Sequence, residues 1–363
     1  MHARRIRMAG SALALVGGGL VVHITPAAAA TITVTTTDDE LNADGDCSLR
    51  EAVEAANTDA ASDACAAGSG ADVINLPAGT FAPAATLVLS DAAGVSLVGA
   101  GASSTTISGS DDHRIIDVTD GALTVSALTL SDGDAGPDLA ETGGAIRSDD
   151  DAVTITGAVV ADNHASHGGG IDTGTGGVTI VDSVVSGNLA RWNDLNGNGG
   201  GVNTGGGAVT VTRSTFVGNT AMNAGGGMLI GNDITVEDST FTGNSAVFGA
   251  AMYSSFDITT VVNSTIHANT ITSDEGGPGY GGGIQGSSID AEIHLVHVTL
   301  TGTVGGSGIS VASVQELTNS VLADNAEGNC FGFGGGATSH GGNVDDDDSC
   351  LLDDASDLTG DPE

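Results

Sequence analysis

Carboxylates are the first side chains to ask for chemistry, because 46 of the 363 residues are Asp or Glu and only 8 are Lys or Arg. Hydrolysis of a glycosidic bond needs two carboxyl groups flanking it, and Asp111 with Asp112, Asp149 with Asp151, and Asp172 are the candidates in sequence. With this many acids, chance pairs are expected, so pairing alone selects none. Proton abstraction by a lyase needs a base, often Arg or Lys, beside a calcium clamp of carboxylates. The chain has no Lys, and between residues 72 and 345 only Arg114, Arg147, Arg191 and Arg213 are available, none in a diagnostic neighbourhood. His164 with His167, and His294 with His297, stand at i, i+3, a spacing that points to opposite faces of a strand. Neither a G-x-S-x-G nucleophile elbow nor a phosphate loop is present.

Calcium has the better spacing. Asp194, Asn196, Asn198 and Gly199 read D-x-N-x-N-G, with Gly205 where the loop's closing Glu belongs. Glu40, Asn42, Asp44 and Gly45 form a second version that does close on an acid, Glu51, although it opens on Glu in place of Asp. A structural calcium ion is the cofactor these segments suggest.

The elements that would position such groups are legible as columns. STFVGN at 214–219 returns as STFTGN at 239–244, a step of 25 residues. The closing Asn belongs to a series, Asn163, Asn188, Asn219, Asn244, Asn269 and Asn325, which skips one coil near Thr303. A second column ends each Gly-rich run at Ile146, Ile171, Val202, Met228, Met252, Ile284 and Ile309. A third is the β-prone VTI or VTV at 153–155, 178–180 and 209–211, followed by 234–236. Three short strands per repeat, each bounded by Gly or Asn, describe a solenoid of stacked coils. Stacking at about 4.8 Å puts each Asn over its counterpart, so that the amides bond in a ladder. Room exists for roughly eleven such coils between residues 72 and 345. Aromatics make up 3% of the chain, so a thin core of Val, Ile, Leu, Ala and Thr is expected. Thr154, Thr179, Thr210 and Thr235 should stack outward, but the neighbouring position runs Thr156, Val181, Thr212, Glu237. A regular two-column threonine array, as binding to ice or a crystal face would need, is therefore missing. The long coils at 189–201 and 271–283 bulge from otherwise regular corners and are the candidate contact surface.

The ends differ from the rod. Arg4, Arg5 and Arg7 precede an apolar stretch at 8–22 and a small-residue run at 27–30, the pattern of a secretory signal peptide cleaved near Ala30, with an uncleaved anchor as the alternative. No later segment is apolar enough to span a membrane. Loss of residues 1–30 would leave five Arg against 46 acids, a formal charge of −41 compared with −38 for the whole chain. Such a surface repels nucleic acid and anionic lipid. The run 345–348 reads as a solvated loop. Four cysteines allow three pairings; local pairing of Cys47 with Cys65 and Cys330 with Cys350 would pin the two ends of the stack, and no spacing resembles a zinc site. Ser48 and Glu51 form a capping box, and Leu49, Ala52, Val53 and Ala56 share one helical face, so a short amphipathic helix is expected over the open end of the first coil.

CSLREA at 47–52, AN at 56–57 and DVINLPAGTF at 72–81 closely resemble the N-terminal module of bacterial CSLREA-domain proteins. The Gly-rich and F-x-x-N columns are similar to the repeats of polymorphic outer-membrane proteins, a pectin-lyase-like group. NC at 329–330, SC at 349–350 and LTGDP at 358–362 resemble the last coil of such exported proteins. The resemblance covers residues 31–362. It implies an all-β, right-handed parallel β-helix solenoid on a secreted or surface-attached, adhesin-like protein. In that family the last coil usually continues into further sequence and often an anchor, so the resemblance implies a missing C-terminal cap or anchor here, by truncation or by genuine brevity. The fold is shared with pectate lyases and polygalacturonases, so fold alone does not decide function. The polygalacturonase-like set of NTD, DD, GHG and RIK is not assembled: NTD occurs only at 57–59, GHG is absent, and RIK requires Lys.

The expectation is thus a signal peptide at 1–30, a cap with its helix at 31–71, coils at 72–345 and a C-terminal end at 346–363. The function expected is binding of a polysaccharide or cell-surface component. The alternative is a polysaccharide lyase or glycoside hydrolase.

Overall fold

Alternation in the VTI-like segments becomes one wall of a rod. The computed structural model describes residues 28–136, 141–192, 196–255, 258–273, 277–288, 291–312, 314–332 and 337–360, and the signal-like stretch lies outside them apart from residues 28–30. Among these residues all sheets are parallel, and the chain visits them in turn once per coil, as in a parallel β-helix. The first sheet has 12 strands, from Thr31–Thr33 to Thr338–Ser339, and eleven of them begin at or beyond Asp72. The second also has 12, from Gly79–Phe81 to Leu358–Thr359, and the third has 10, from Leu87–Leu89 to Cys330–Phe331. A narrow fourth sheet of five two-residue strands widens the middle coils from His164–Ala165 to Thr270–Ile271.

Register is kept without slippage through the central coils, because a one-residue shift would turn every buried Val outward. Val153, Val178, Val209 and Ile234 are paired in sequence along the first sheet, and the outward Thr154, Thr179, Thr210 and Thr235 pair beside them. That threonine column extends to Thr124 and Thr260. Its neighbour is broken by Val181 and Glu237, as the sequence indicated. Inward side chains from the three larger sheets form one continuous core, in which Phe216 and Phe241 stack with ring centroids 4.6 Å apart, while Ala190, Ala221 and Ala246 of the narrow sheet form a small cluster of their own.

Each half of the STFVGN fragment makes one corner. Arg213 has φ 47° and Gly218 has φ 66°, so a single left-handed residue bends the chain at each end of the strand Thr215–Val217. The following Asn closes the second corner: the Asn188 side-chain amide donates to Asn219 Oδ1 at 2.9 Å and Asn219 donates to Asn244 Oδ1 at 2.9 Å. The ladder runs from Asn163 to Asn269 with every member buried. At the skipped coil Thr303 takes the place of Asn, its hydroxyl donating to Asn325 Oδ1 at 2.8 Å. The serine that opens the fragment closes the first corner in the same way. The Ser183 and Ser214 amides donate to the hydroxyls of Ser214 and Ser239 at 3.1 and 3.0 Å, a second buried ladder that the columns had not disclosed.

The cap forms as its sequence requires. A helix spans Leu49–Thr58, Ser48 accepts from the Glu51 amide, and the Glu51 carboxylate returns to the Ser48 amide. Leu49, Ala52, Val53, Ala55 and Ala56 are buried and join the same core as Ile32 and Ile74. The stretch 31–71 also contributes a strand, since Thr31–Thr33 pairs with residues 73–75 before the helix begins. Cys47 is bonded to Cys65 and Cys330 to Cys350, one bridge at each end.

Candidate functional site

The third sheet carries the most varied side chains on its outer face. In each of its strands the residue after the Gly-run column points outward, since its two neighbours point into the core. Successive rungs therefore align Asp117, Arg147, Asp172, Asn203, Leu229, Tyr253, Gln285 and Ser310 by direct pairing. The column is polar at one end and aromatic towards the other.

At the polar end, Asp117 lies 3.3 Å from Arg147 and 3.9 Å from Arg114, while Arg147 reaches Asp149 at 2.7 Å and Arg114 reaches Glu141 at 3.4 Å. Arg114 is held further by the carbonyls of Thr142 and Gly143. Asp172 accepts from Asn203 at 2.6 Å. Burial pushes the Asp172 carboxyl up, against the hydrogen bonds of Asn203 and Thr142, and burial pushes the neighbouring His167 down. The His167 Nδ1 accepts from the Asn198 amide at 3.1 Å, which fixes it as an unprotonated acceptor. These charges are committed to one another, so the polar end is a network of ion pairs with an acid and a neutral imidazole beside it.

At the aromatic end, Phe248 and Tyr280 stack with centroids 5.1 Å apart, and Tyr253 occupies the outward rung next to them. Phe248, Tyr253, Gln285, Ser287 and Ser310 line a depression of about 210 Å³. The chain has only two tyrosines and one tryptophan. Both tyrosines are here, and Trp192 lies in the long coil entering the same sheet. Tyr280 belongs to the other long coil, at 271–283.

The remaining candidate acids do not converge. Asp111 and Asp112 are exposed in a turn, Asp149 is exposed and paired with Arg147, and Asp151 is buried where the chain enters the first sheet. His164 lies 3.7 Å from Asp134, and His167 faces Asn198. His294 stands on the first sheet between Glu292 at 3.3 Å and Glu316 at 3.6 Å, whereas His297 sits in a corner with Asn263 and Asn319. Arg213 forms a two-point exposed pair with Asp182.

Of the calcium candidates, Asp194 lies outside the described residues; Asn196 is exposed, and the Asn198 side chain accepts from Asn223. In the N-terminal loop, carboxylate oxygens of Glu40, Asp44 and Asp46 lie within 4.8 Å of one another. Asp46, which the spacing did not single out, joins this group. Asn42 instead donates its amide to Glu40, and both Glu51 oxygens accept backbone amides, of Asn42 and Ser48. Partial desolvation, and then Asp44, push Glu40 and Asp46 upward. The run 345–348 departs from its reading as a solvated loop. Asp345 is fully buried in the strand Val344–Asp345, because its carboxylate satisfies the Cys350 amide at 2.8 Å and the Asn329 side chain at 2.6 Å.

Sequence reasoning missed the aromatic group, although a signal existed. Counting one residue past each Gly-run column yields Arg147, Asp172, Asn203, Leu229, Tyr253 and Gln285 directly, which is the outward column itself.

No protein-family model and no curated protein matches the chain. Among solved structures, the chain is similar to ORF18 of Geobacillus virus E2, at 13% identity and a TM-score of 0.38, covering 76% of this chain and 53% of the viral one. It thus spans about half the length of that protein. It is also similar to the A-module of the mannuronan C-5 epimerase AlgE6 of Azotobacter vinelandii, at 13% identity and a TM-score of 0.24, covering 81% of this chain and 92% of the module.

Proposed function

We propose that this is an exported β-helix protein that binds a polysaccharide or another cell-surface component along the outer face of the third sheet. The observation that carries the reading is a depression lined by Phe248 and Tyr253, with Tyr280 stacked on Phe248, in a chain with 3% aromatics. Aromatic rings offer an apolar face with a polar tip, and a sugar ring presents C–H faces edged with hydroxyls, so the two match. Gln285, Ser287 and Ser310 supply polar atoms beside the rings. The two long coils that carry Trp192 and Tyr280 both lead into strands of the third sheet, Val202–Thr204 and Gly277–Gly286. Export is supported by two disulfides and by the signal-like pattern of residues 1–30. Among the described residues no helix is long and apolar enough to cross a membrane. Nucleic acid is an unsuitable partner for a formal charge of −38.

Tyr253→Ala combined with Tyr280→Ala should lower affinity for a bound glycan at least tenfold, about 1.4 kcal/mol, with unchanged circular dichroism. Equal affinity of the variant would remove this face from the account. A second reading, cleavage, is favoured by one feature: Asp172 and His167 are pushed in opposite directions by burial at the polar end of the same column.

A further inference from the structure

Among the described residues, two buried carboxylate oxygens beneath the cap helix have no hydrogen-bond partner. Asp72 is 0% exposed; its Oδ1 accepts from the amides of Ala30 at 3.1 Å and Ser69 at 2.8 Å, while its Oδ2 accepts nothing. Asp91 shows the same division. Its Oδ1 accepts from the Ala93 amide at 2.9 Å, and its Oδ2 is buried and unpartnered. The two residues are tied through Gly94, whose carbonyl accepts from the Asp72 amide at 3.1 Å and whose amide donates to the Asp91 carbonyl at 2.9 Å.

The surroundings supply oxygen and no positive charge. A Cβ on Gly68 would lie 2.4 Å from Asp72 Oδ2 and 2.7 Å from the Ala55 carbonyl oxygen, so both oxygens flank the same bare backbone. Ala55 belongs to the last turns of the cap helix, which has no basic residue there and ends on Asp59. A helix C-terminus adds partial negative charge of its own. Asn57, from the same turn, holds the Asp91 segment through the Ser90 amide at 2.8 Å and the Val88 carbonyl at 2.8 Å. Asp59, Asp72 and Asp120 all act on Asp91 electrostatically. Arg50 is the only Arg or Lys between residues 28 and 113, and it is committed to Asp39 at 2.8 Å and the Ala85 carbonyl at 3.0 Å. Buried carboxylate oxygens without a donor are costly, and an ion is one of the few ways to satisfy two together.

We propose that Asp72 Oδ2, Asp91 Oδ2 and the Ala55 carbonyl hold a hard divalent cation, of the calcium type, that clamps the cap helix to the first coils. The donor set is all oxygen, which suits calcium and not zinc or copper. Water fills the rest of the coordination shell at the half-buried Asp91 side. The site is distinct from the Glu40, Asp44 and Asp46 loop, which precedes the helix.

The test is thermal unfolding of the purified protein in EDTA and in 1 mM calcium chloride, together with equilibrium dialysis of radioactive calcium. Calcium should raise Tm by several degrees in the parent protein. Asp91→Asn should abolish most of that rise and lower the bound stoichiometry by one, while Glu40→Gln with Asp44→Asn should leave that rise and that bound ion in place. Asp72→Asn should act like Asp91→Asn; because Asp72 is buried and its loss can unfold the cap, the partly exposed Asp91 is the deciding variant. Absence of any calcium effect in the parent protein would overturn the proposal. So would a rise that survives Asp91→Asn, or one lost only with Glu40 and Asp44.

Discussion

Asn219 shows how much one residue carries in this rod. Its Oδ1 takes the Asn188 amide and side chain, and its Nδ2 serves Asn244 and the Val185 carbonyl. Asn219→Ala would strand several of these groups in a buried corner, and should cost roughly 2–4 kcal/mol in denaturant unfolding. A variant of unchanged stability would mean that the ladder is ornamental. Asp345 supplies a pH dependence. Burial pushes its carboxyl from the ordinary 3.8 up to about 6, with Asp347 adding to the effect against hydrogen bonds from Asn329 and Cys350. Burial pushes Asp347 upward as well, but the hydroxyl and amide of Ser349 outweigh it and hold that group low. A raised native pKa means that the folded chain keeps a proton the unfolded chain releases. Stability from Asp345 is therefore complete below about 3.8 and lost as pH rises through about 6, at most on the order of 3 kcal/mol. Amide exchange at Cys350, corrected for intrinsic rate, should be better protected at pH 5 than at pH 7.5, and Asp345→Asn should flatten the difference.

At the scale of elements, what the sequence disclosed followed from repetition. The Asn column, the Gly-run column and the capping box each recur or match a motif, so their positions could be read without coordinates. The serine ladder escaped because Ser is common in corners and its bond is to a backbone amide, which leaves no mark on its partner's identity. Asp345 escaped because four consecutive acids suggest solvent, whereas its strand position turns the first of them inward. The calcium loop was half legible: Glu40 and Asp44 converge, but Glu51 is consumed by the cap and Asp46 joins the cluster. Asp72 and Asp91 share no local motif, because only the stacking of one coil on the next brings them together. The cap is the element most open to test. Ser48→Ala removes the acceptor of the Glu51 amide and a donor to the Glu40 carbonyl, and should cost about 1–2 kcal/mol. Exchange should rise first in the helix and in the strand Thr31–Thr33, if the helix covers the open end of the stack.

Across the whole molecule, each wall of the rod presents different side chains. The first sheet exposes threonine, the corners between the first and second sheets are sealed by serine and those beyond the second by asparagine, and the third sheet presents ion pairs that give way to aromatic rings. Disulfides close the stack at both ends, where a solenoid otherwise frays. Such a rod offers a long, pre-formed surface that binding need not order, which favours recognition of an extended polymer. Incubation of the purified protein with a panel of neutral and acidic polysaccharides, with and without calcium, tests this account most directly when retention, new reducing ends and unsaturated uronate absorbance are all measured. The account predicts retention of at least one polymer, weakened by the Tyr253 and Tyr280 substitutions, with chain length unchanged. Depolymerisation sensitive to Asp172→Asn, or folded protein that retains none of the polymers, would contradict it.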